Sequence, residues 1–215
     1  MSSVRTDGSG PAGITSAAGA PTRWVTETGV GHSQWYIERF RTMAAEGVDL
    51  GGEARLVDAL AAPRSRILDA GCGPGRVGAI LHARGHYVVG VDADPELIAA
   101  AHQDHPGPQW LVADLSVLDL TVAGTRELFD VAVIAGNVLA FVAPGTEADV
   151  LRCIAAHLLP GGLAVVGLGV DRGYALEALD ADLTAAGFVL EHRFATWDLK
   201  PWVDDAEFAV SVLRR

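Results

Sequence analysis

Apolar positions along the chain change their period several times, and each change predicts an element. From about His32, Tyr36, Phe40 and Met43 fall at helical spacing, and Leu56 and Leu60 resume it after the Gly51-Gly52 break. Two short N-terminal helices are therefore expected. Strand-like and helical stretches then alternate. Residues 66–70 read as a short strand, 75–84 carry Val77, Ile80 and Leu81 on one helical face, and the β-branched run 87–92 reads as a second strand. Asp94 is placed to cap the next helix, with Pro95 in its first position and Glu96 favoured by the helix dipole.

Residues 110–113 and 129–135 are apolar runs of strand length. Thr146-Glu147-Ala148-Asp149 resembles a capping box opening a helix that carries Leu151, Ile154 and Leu158, and Pro160-Gly161-Gly162 is expected to stop it. A fifth strand follows at 163–168. Leu176, Leu179 and Leu183 then mark a helix that ends at Gly187. The last two strands, 188–197 and 207–213, have no helix between them, which predicts an antiparallel hairpin. Seven mostly parallel strands with helices on both faces and a C-terminal hairpin make a doubly wound α/β fold.

Composition adds boundaries. Residues 1–22 are rich in Gly, Ser, Ala, Pro and Thr and hold few large apolar residues, so a disordered tail is expected, with a single domain over 23–215. Half of the 215 residues are hydrophobic, enough for one sizeable core. The net charge of -11, with no clustered basic residues, argues against nucleic acid as a partner. No run approaches the roughly 20 apolar residues of a membrane span, and the first 22 residues lack a secretory apolar run. Cys72 and Cys153 form neither a disulfide framework nor a metal knuckle, so a cytoplasmic protein without a bound metal is expected.

The candidate chemistry sits in Asp69-Ala70-Gly71-Cys72-Gly73-Pro74-Gly75, at the end of the first strand. Glycines there let a ligand approach the backbone. Gly73 to Gly78 match the dinucleotide pattern G-x-G-x-x-G, but the glycine that directly follows the strand is Gly71, preceded by Asp69. The register is thus Asp-x-Gly-x-Gly-x-Gly. It closely resembles the first motif of class I S-adenosylmethionine-dependent methyltransferases, and the chain looks most like small bacterial members of that family.

The resemblance implies a Rossmann-like methyltransferase fold, S-adenosyl-L-methionine as cofactor and S-adenosyl-L-homocysteine as product. It places Asp69, Gly71, Cys72 (through its backbone) and Gly73 around the cofactor. Asp92, with Ala93, falls where the family binds the ribose hydroxyls, and Asp114, with Leu115, where it binds adenine. Phe129-Asp130-Val131 and Pro160-Gly161-Gly162 extend the likeness to the later strands. Asn137 is read either as a contact to the methionine end or as a loop cap. Tyr36 and Arg41 belong to N-terminal lid helices over about 28–62, above a cofactor-binding core over 64–215; Arg41 is read either as a partner of the cofactor's carboxylate or as a solvated residue.

No catalytic residue is obligatory, because the donor's methyl group is already activated. His32 is the best placed histidine; His82, His86, His102, His105 and His157 read as surface residues. A small-molecule acceptor is expected among loops 138–145, 169–174 and 198–205, with Trp35, Phe141, Trp197 and Trp202 either as its aromatic wall or as core. A monomer or homodimer suits this reading. Two rivals stand beside it: a non-catalytic cofactor-binding protein and a nicotinamide-dependent oxidoreductase.

Overall fold

The computed structural model describes residues 20–170 and 172–215. Most of the expected tail, residues 1–19, lies outside the described residues. Three helices come first: α1 (Arg23–Glu27), α2 (His32–Ala45) and α3 (Gly52–Leu60). The sequence pattern predicts the second and third; α1 is too short for periodicity to register.

The alternation then unfolds as β1 (Arg66–Ala70), α4 (Arg76–Ala83), β2 (Tyr87–Asp92), α5 (Pro95–Asp104) and β3 (Gln109–Val112). A 3-10 turn at Leu115–Val117 leads to a two-stranded ribbon, β4 (Thr121–Val122) and β5 (Thr125–Arg126). The chain continues as β6 (Phe129–Ile134), α6 (Val138–Phe141), α7 (Glu147–Ala156), β7 (Leu158–Gly169), α8 (Leu176–Ala185), β8 (Val189–Phe194) and β9 (Phe208–Arg214). The seven-stranded sheet has the order β3-β2-β1-β6-β7-β9-β8. Its first five strands are parallel, and β9 runs antiparallel between β7 and β8. This is the doubly wound sheet with a terminal hairpin that the alternation predicts.

Period-two side chains divide the core between the two faces of the sheet. Leu68 and Ala70 of β1 join Val89, Val91, Ala132 and Ile134 against α7 and α8. Ile67 joins Val88, Val131 and Val133 against α3 and α4. Helix α5 bridges the N-terminal helices to the sheet: Ile98 and Ala101 pack with Cys72 and Trp110, while Leu97 and Ala100 pack with Ile37 of α2.

Two local readings change. Leu158 opens β7 rather than ending α7, and Pro160-Gly161-Gly162 lies within the strand. Leu158 pairs with Phe129 and Leu163 with Val131, so the segment between them is an irregular insertion in the ladder, with Gly161 at φ +77°. Thr146 does not cap α7 with its side chain; its hydroxyl donates to the Ala143 carbonyl at 2.7 Å. Asp94, by contrast, caps α5 as expected, accepting from the Glu96 amide at 2.8 Å.

Candidate functional site

The glycine turn leaves β1 at the carboxyl edge of the parallel strands, where doubly wound sheets bind ligands. Its backbone is satisfied from within. The amides of Gly71 and Cys72 both donate to the Val91 carbonyl, at 2.8 and 3.0 Å, and the Gly73 amide donates to Asp92 Oδ2 at 2.8 Å. At the start of α4, where a dinucleotide's pyrophosphate is bound in a nicotinamide enzyme, the Asp69 carboxylate accepts from the Gly78 amide at 2.8 Å. A buried acid thus takes one of the first-turn amides that a phosphate would use, which argues against the dinucleotide reading.

The glycines that complete G-x-G-x-x-G serve a different purpose. A Cβ on Gly75 would stand 2.9 Å from the Trp110 ring, one on Gly78 2.8 Å, and one on Gly90 of β2 2.3 Å. Three glycines, one each from the turn, α4 and β2, thus form a slot for one indole, which is 2% exposed and donates its Nε1–H to the His105 carbonyl at 2.9 Å. Gly71 is pinned from the other side, because a Cβ there would meet the two methyl carbons of Val138 at 2.4 and 2.5 Å.

Asp69 is 2% exposed, and burial pushes its carboxyl up to about 7. In the unfolded chain the same group titrates near 4. Between those values the folded state holds the proton that the unfolded state has lost, so stability falls as pH rises, by up to ~1.4 kcal/mol per unit. Asp69→Asn keeps an acceptor for Gly78 without the charge. It is expected to raise the melting temperature at pH 8 and to leave it nearly unchanged at pH 4.5; thermal unfolding at the two pH values checks this, and an equal shift at both contradicts it.

Beside the turn lies a cleft of about 690 Å³, measured to its open mouth, with an adjoining lobe of about 370 Å³. Gly71, Gly73, Ala135, Gly136 and Tyr36 line both parts. In the main part, Asp92 and Ala93 stand at the end of β2, and Asp114 and Leu115 just past β3. Asp92 Oδ1 accepts from the Asp94 amide at 3.0 Å while Oδ2 holds Gly73. A carboxylate has about four acceptor positions, so two remain for hydroxyls. Burial, with the Asp94 charge adding to it, raises the Asp92 carboxyl to about 6. Asp114 accepts from the amide and hydroxyl of Ser116 through Oδ1, both at 2.8 Å, and its Oδ2 has no protein partner among the described residues.

Asp69, Cys72 and Gly73 line the smaller lobe. The Cys72 thiol is raised well above its usual range by burial, which suits a backbone contribution rather than a nucleophile. Tyr36 from α2 stands against Gly73, where a Cβ would lie 3.7 Å from its ring.

Two expected site residues are placed elsewhere. Arg41 makes a two-pronged pair with Asp104 of α5, at 2.8 and 3.0 Å, and a third contact with Glu38 at 2.6 Å, so its guanidinium braces α2 on α5 instead of reaching the cleft. Asn137 makes no side-chain cap to α6; its Oδ1 accepts from the Gly169 amide and ties the ends of β6 and β7 together.

Other side chains move between roles. Trp197 packs over Gly167, where a Cβ would meet it at 2.6 Å, and is core; Trp35 is 54% exposed. Arg193 stands 5.7 Å from the Trp202 ring. Of the expected acceptor loops, the first contributes Val138, Phe141 and Val142 to the cleft. His86 and His157 are buried rather than at the surface. His157 is structural: Nε2 accepts from the Leu120 amide, so Nδ1 donates to the Cys153 carbonyl. His32 packs edge-on against Trp24 at 4.7 Å.

Trp24 is a cleft residue that the sequence pattern does not reveal. Its indole stands 5.3 Å from the Tyr36 ring and 5.7 Å from Phe141, both edge to face, and its Nε1–H donates to Asp94 Oδ2 at 2.8 Å. Neighbouring Arg23 pairs with Glu147 of α7 at 2.8 Å. Helix α1 is therefore fastened to α5 on one side and α7 on the other, and Thr22 and Trp24 line the cleft beneath it.

Comparison with known proteins agrees with this geometry. A family model described as "Methyltransferase domain" matches residues 67–162. A TehB-like SAM-dependent methyltransferase from Corynebacterium glutamicum shares 43% identity, over 86% of this chain and 98% of that one, with a TM-score of 0.80. The chain belongs to the class I S-adenosylmethionine-dependent methyltransferases. The fold recurs in the CcbJ methyltransferase of Streptomyces caelestis (22% identity, 76% and 93% covered, TM-score 0.66). It recurs again in the N-methyltransferase NodS of Bradyrhizobium japonicum, solved with S-adenosyl-L-homocysteine (22% identity, 83% and 87% covered, TM-score 0.61). No curated protein sequence matches the chain.

Proposed function

We propose that this methyltransferase acts on a small-molecule acceptor, with its donor seated between the glycine turn and Asp114. One observation carries the seating: Asp92, fastened by the Gly73 and Asp94 amides, keeps two acceptor positions beside the cleft. Those positions suit the paired hydroxyls of a ribose. Asp114 takes the adenine amino group through its unused oxygen, with Leu115 and Ala93 against the ring, and Gly71 and Gly73 leave room for the thioether chain. When bound, the donor supplies an activated methyl group on a sulfonium, so the protein's tasks are alignment and exclusion of water.

The residues fit those tasks. Trp24, Tyr36, Phe141 and Val142 form an apolar roof over the cleft, and α1 is held at both rims. A cleft covered by the chain's own N-terminal helix and aromatic side chains favours a small acceptor over a polymer. The lid assigned to residues 28–62 extends in this reading to Thr22, through α1. Two free thiols, Cys72 and Cys153, agree with a reducing cytoplasm. Among the described residues no helix is long and apolar enough to cross a membrane.

The test is calorimetric titration with S-adenosyl-L-homocysteine between pH 5 and 8, with NAD as control. Protonated Asp92 cannot accept from both hydroxyls, so affinity is lost as pH falls through about 6, and below it Kd rises by about tenfold per unit. Asp92→Asn is expected to be weaker at pH 8 and to flatten this dependence. Binding of NAD in place of the homocysteine ligand overturns the reading.

A further inference from the structure

Arg76 is the first residue of α4, directly after the glycine turn, and lines the smaller lobe of the cleft together with Tyr36, Phe40, Gly73 and Pro74. Its side chain is only 20% exposed. A guanidinium has five N–H donors in a fixed plane. Nη1 spends both of its donors, one on Glu53 Oε2 at 2.8 Å and one on the Leu50 carbonyl. Nη2 spends one, on Glu53 Oε1 at 2.6 Å. Glu53 therefore occupies the end of the guanidinium, across Nη1 and Nη2. The second Nη2–H and the Nε–H remain, and they lie parallel on one edge of the plane, which is the fork that binds a carboxylate side-on.

The surroundings hold that edge in place. Phe40 lies under the guanidinium, 5.3 Å from ring centroid to carbon, and the pair with Glu53 fixes its rotation. Tyr36 lines the same lobe as Arg76; burial raises the proton affinity of its hydroxyl and the Arg76 charge opposes that rise. The lobe opens into the main cleft past Gly71, Gly73 and Gly136. A ligand with its ribose on Asp92 and its chain over Gly73 reaches this lobe with its far end. In the donor that end is an α-amino acid.

We propose that the Nε and Nη2 edge of Arg76, with the Tyr36 hydroxyl beside it, receives the α-carboxylate of the cofactor, the task that the sequence offers to Arg41. The proposal rests on the donor-binding reading above. Arg76 is then a positioning residue: it fixes the amino-acid end while Glu53 holds the guanidinium in register.

The experiment compares two ligands that differ only at that end. S-adenosyl-L-homocysteine carries the amino acid; 5′-methylthioadenosine keeps the nucleoside and thioether without it. Arg76→Lys preserves the charge facing Glu53 and removes the fork. By calorimetry, this variant is expected to lose about 10- to 100-fold in affinity for the first ligand and less than about twofold for the second. Tyr36→Phe is expected to show the same selectivity, at about fivefold. Equal losses for both ligands, or no loss for the first, overturn the proposal. Should Arg76→Lys fail to fold by circular dichroism, Tyr36→Phe decides by the same ratio. Failure of the donor-binding reading looks different, because the unaltered protein then binds neither ligand.

Discussion

Asp92→Ala is expected to weaken S-adenosyl-L-homocysteine binding by at least about 100-fold. The carboxylate does two things at once. Its inner lone pairs hold the Gly73 and Asp94 amides, which set the glycine turn against the start of α5. Its outer lone pairs are the acceptors for the ribose. Hydrogen bonds to a charged group contribute about 1.5–3 kcal/mol each, and 1.4 kcal/mol is tenfold in affinity. Two lost ribose bonds alone reach the predicted effect, and two orphaned amides add to it. Affinity for 5′-methylthioadenosine should fall in parallel, since that ligand keeps the ribose. Calorimetry with both ligands reads the outcome, and unchanged affinity in a folded Asp92→Ala protein shows the ribose assignment to be wrong.

The second large effect is on stability. Gly71→Ala places a Cβ on a residue at φ +76°, and that atom falls 2.4 and 2.5 Å from the Val138 methyl carbons. A left-handed backbone costs an L-residue about 1–2 kcal/mol, and overpacking about 1–3 kcal/mol. The sum, about 2–5 kcal/mol, lowers the melting temperature of a chain this size by about 5–15 °C. Val138→Ala in the same protein removes the two methyl contacts and should restore part of the loss, leaving the backbone strain. Gly73→Ala is the comparison: its φ is also positive, at +54°, but its nearest neighbour is a Tyr36 ring atom at 3.7 Å. A loss from Gly71→Ala no larger than that from Gly73→Ala shows that Val138 does not set the cost.

What could be read from the chain was local. The register of Asp69, Gly71, Gly73 and Gly75 against β1 lies within a few residues, and so do Asp92 and Asp114 at the ends of β2 and just past β3. Strand alternation likewise exposes the two faces of the core. What could not be read depends on distant partners. Arg41 looks like a lid cation until Asp104, 63 residues later, takes it. Arg76 looks like an ordinary helix residue until Glu53, 23 residues earlier, orients it. Pro160-Gly161-Gly162 has the composition of a helix stop, yet pairing of its flanks with β6 carries it into β7. Trp24 sits in a helix of five residues, where no period can develop.

The slot around Trp110 has a consequence for how such a chain can diverge. Gly75, Gly78 and Gly90 each stand where any larger side chain would strike the same indole. None of the three can change alone while the tryptophan remains; a smaller ring at position 110 relieves the closest contact at Gly78 and Gly90, whereas Gly75 is also held by its left-handed backbone, at φ +87°, and by the Ala101 side chain. Substitutions at positions 78, 90 and 110 should therefore appear among relatives as a linked set, with the glycines at 78 and 90 relaxing where the tryptophan is lost. Part of what resembles a ligand-binding signature is then inherited as the footprint of one buried side chain.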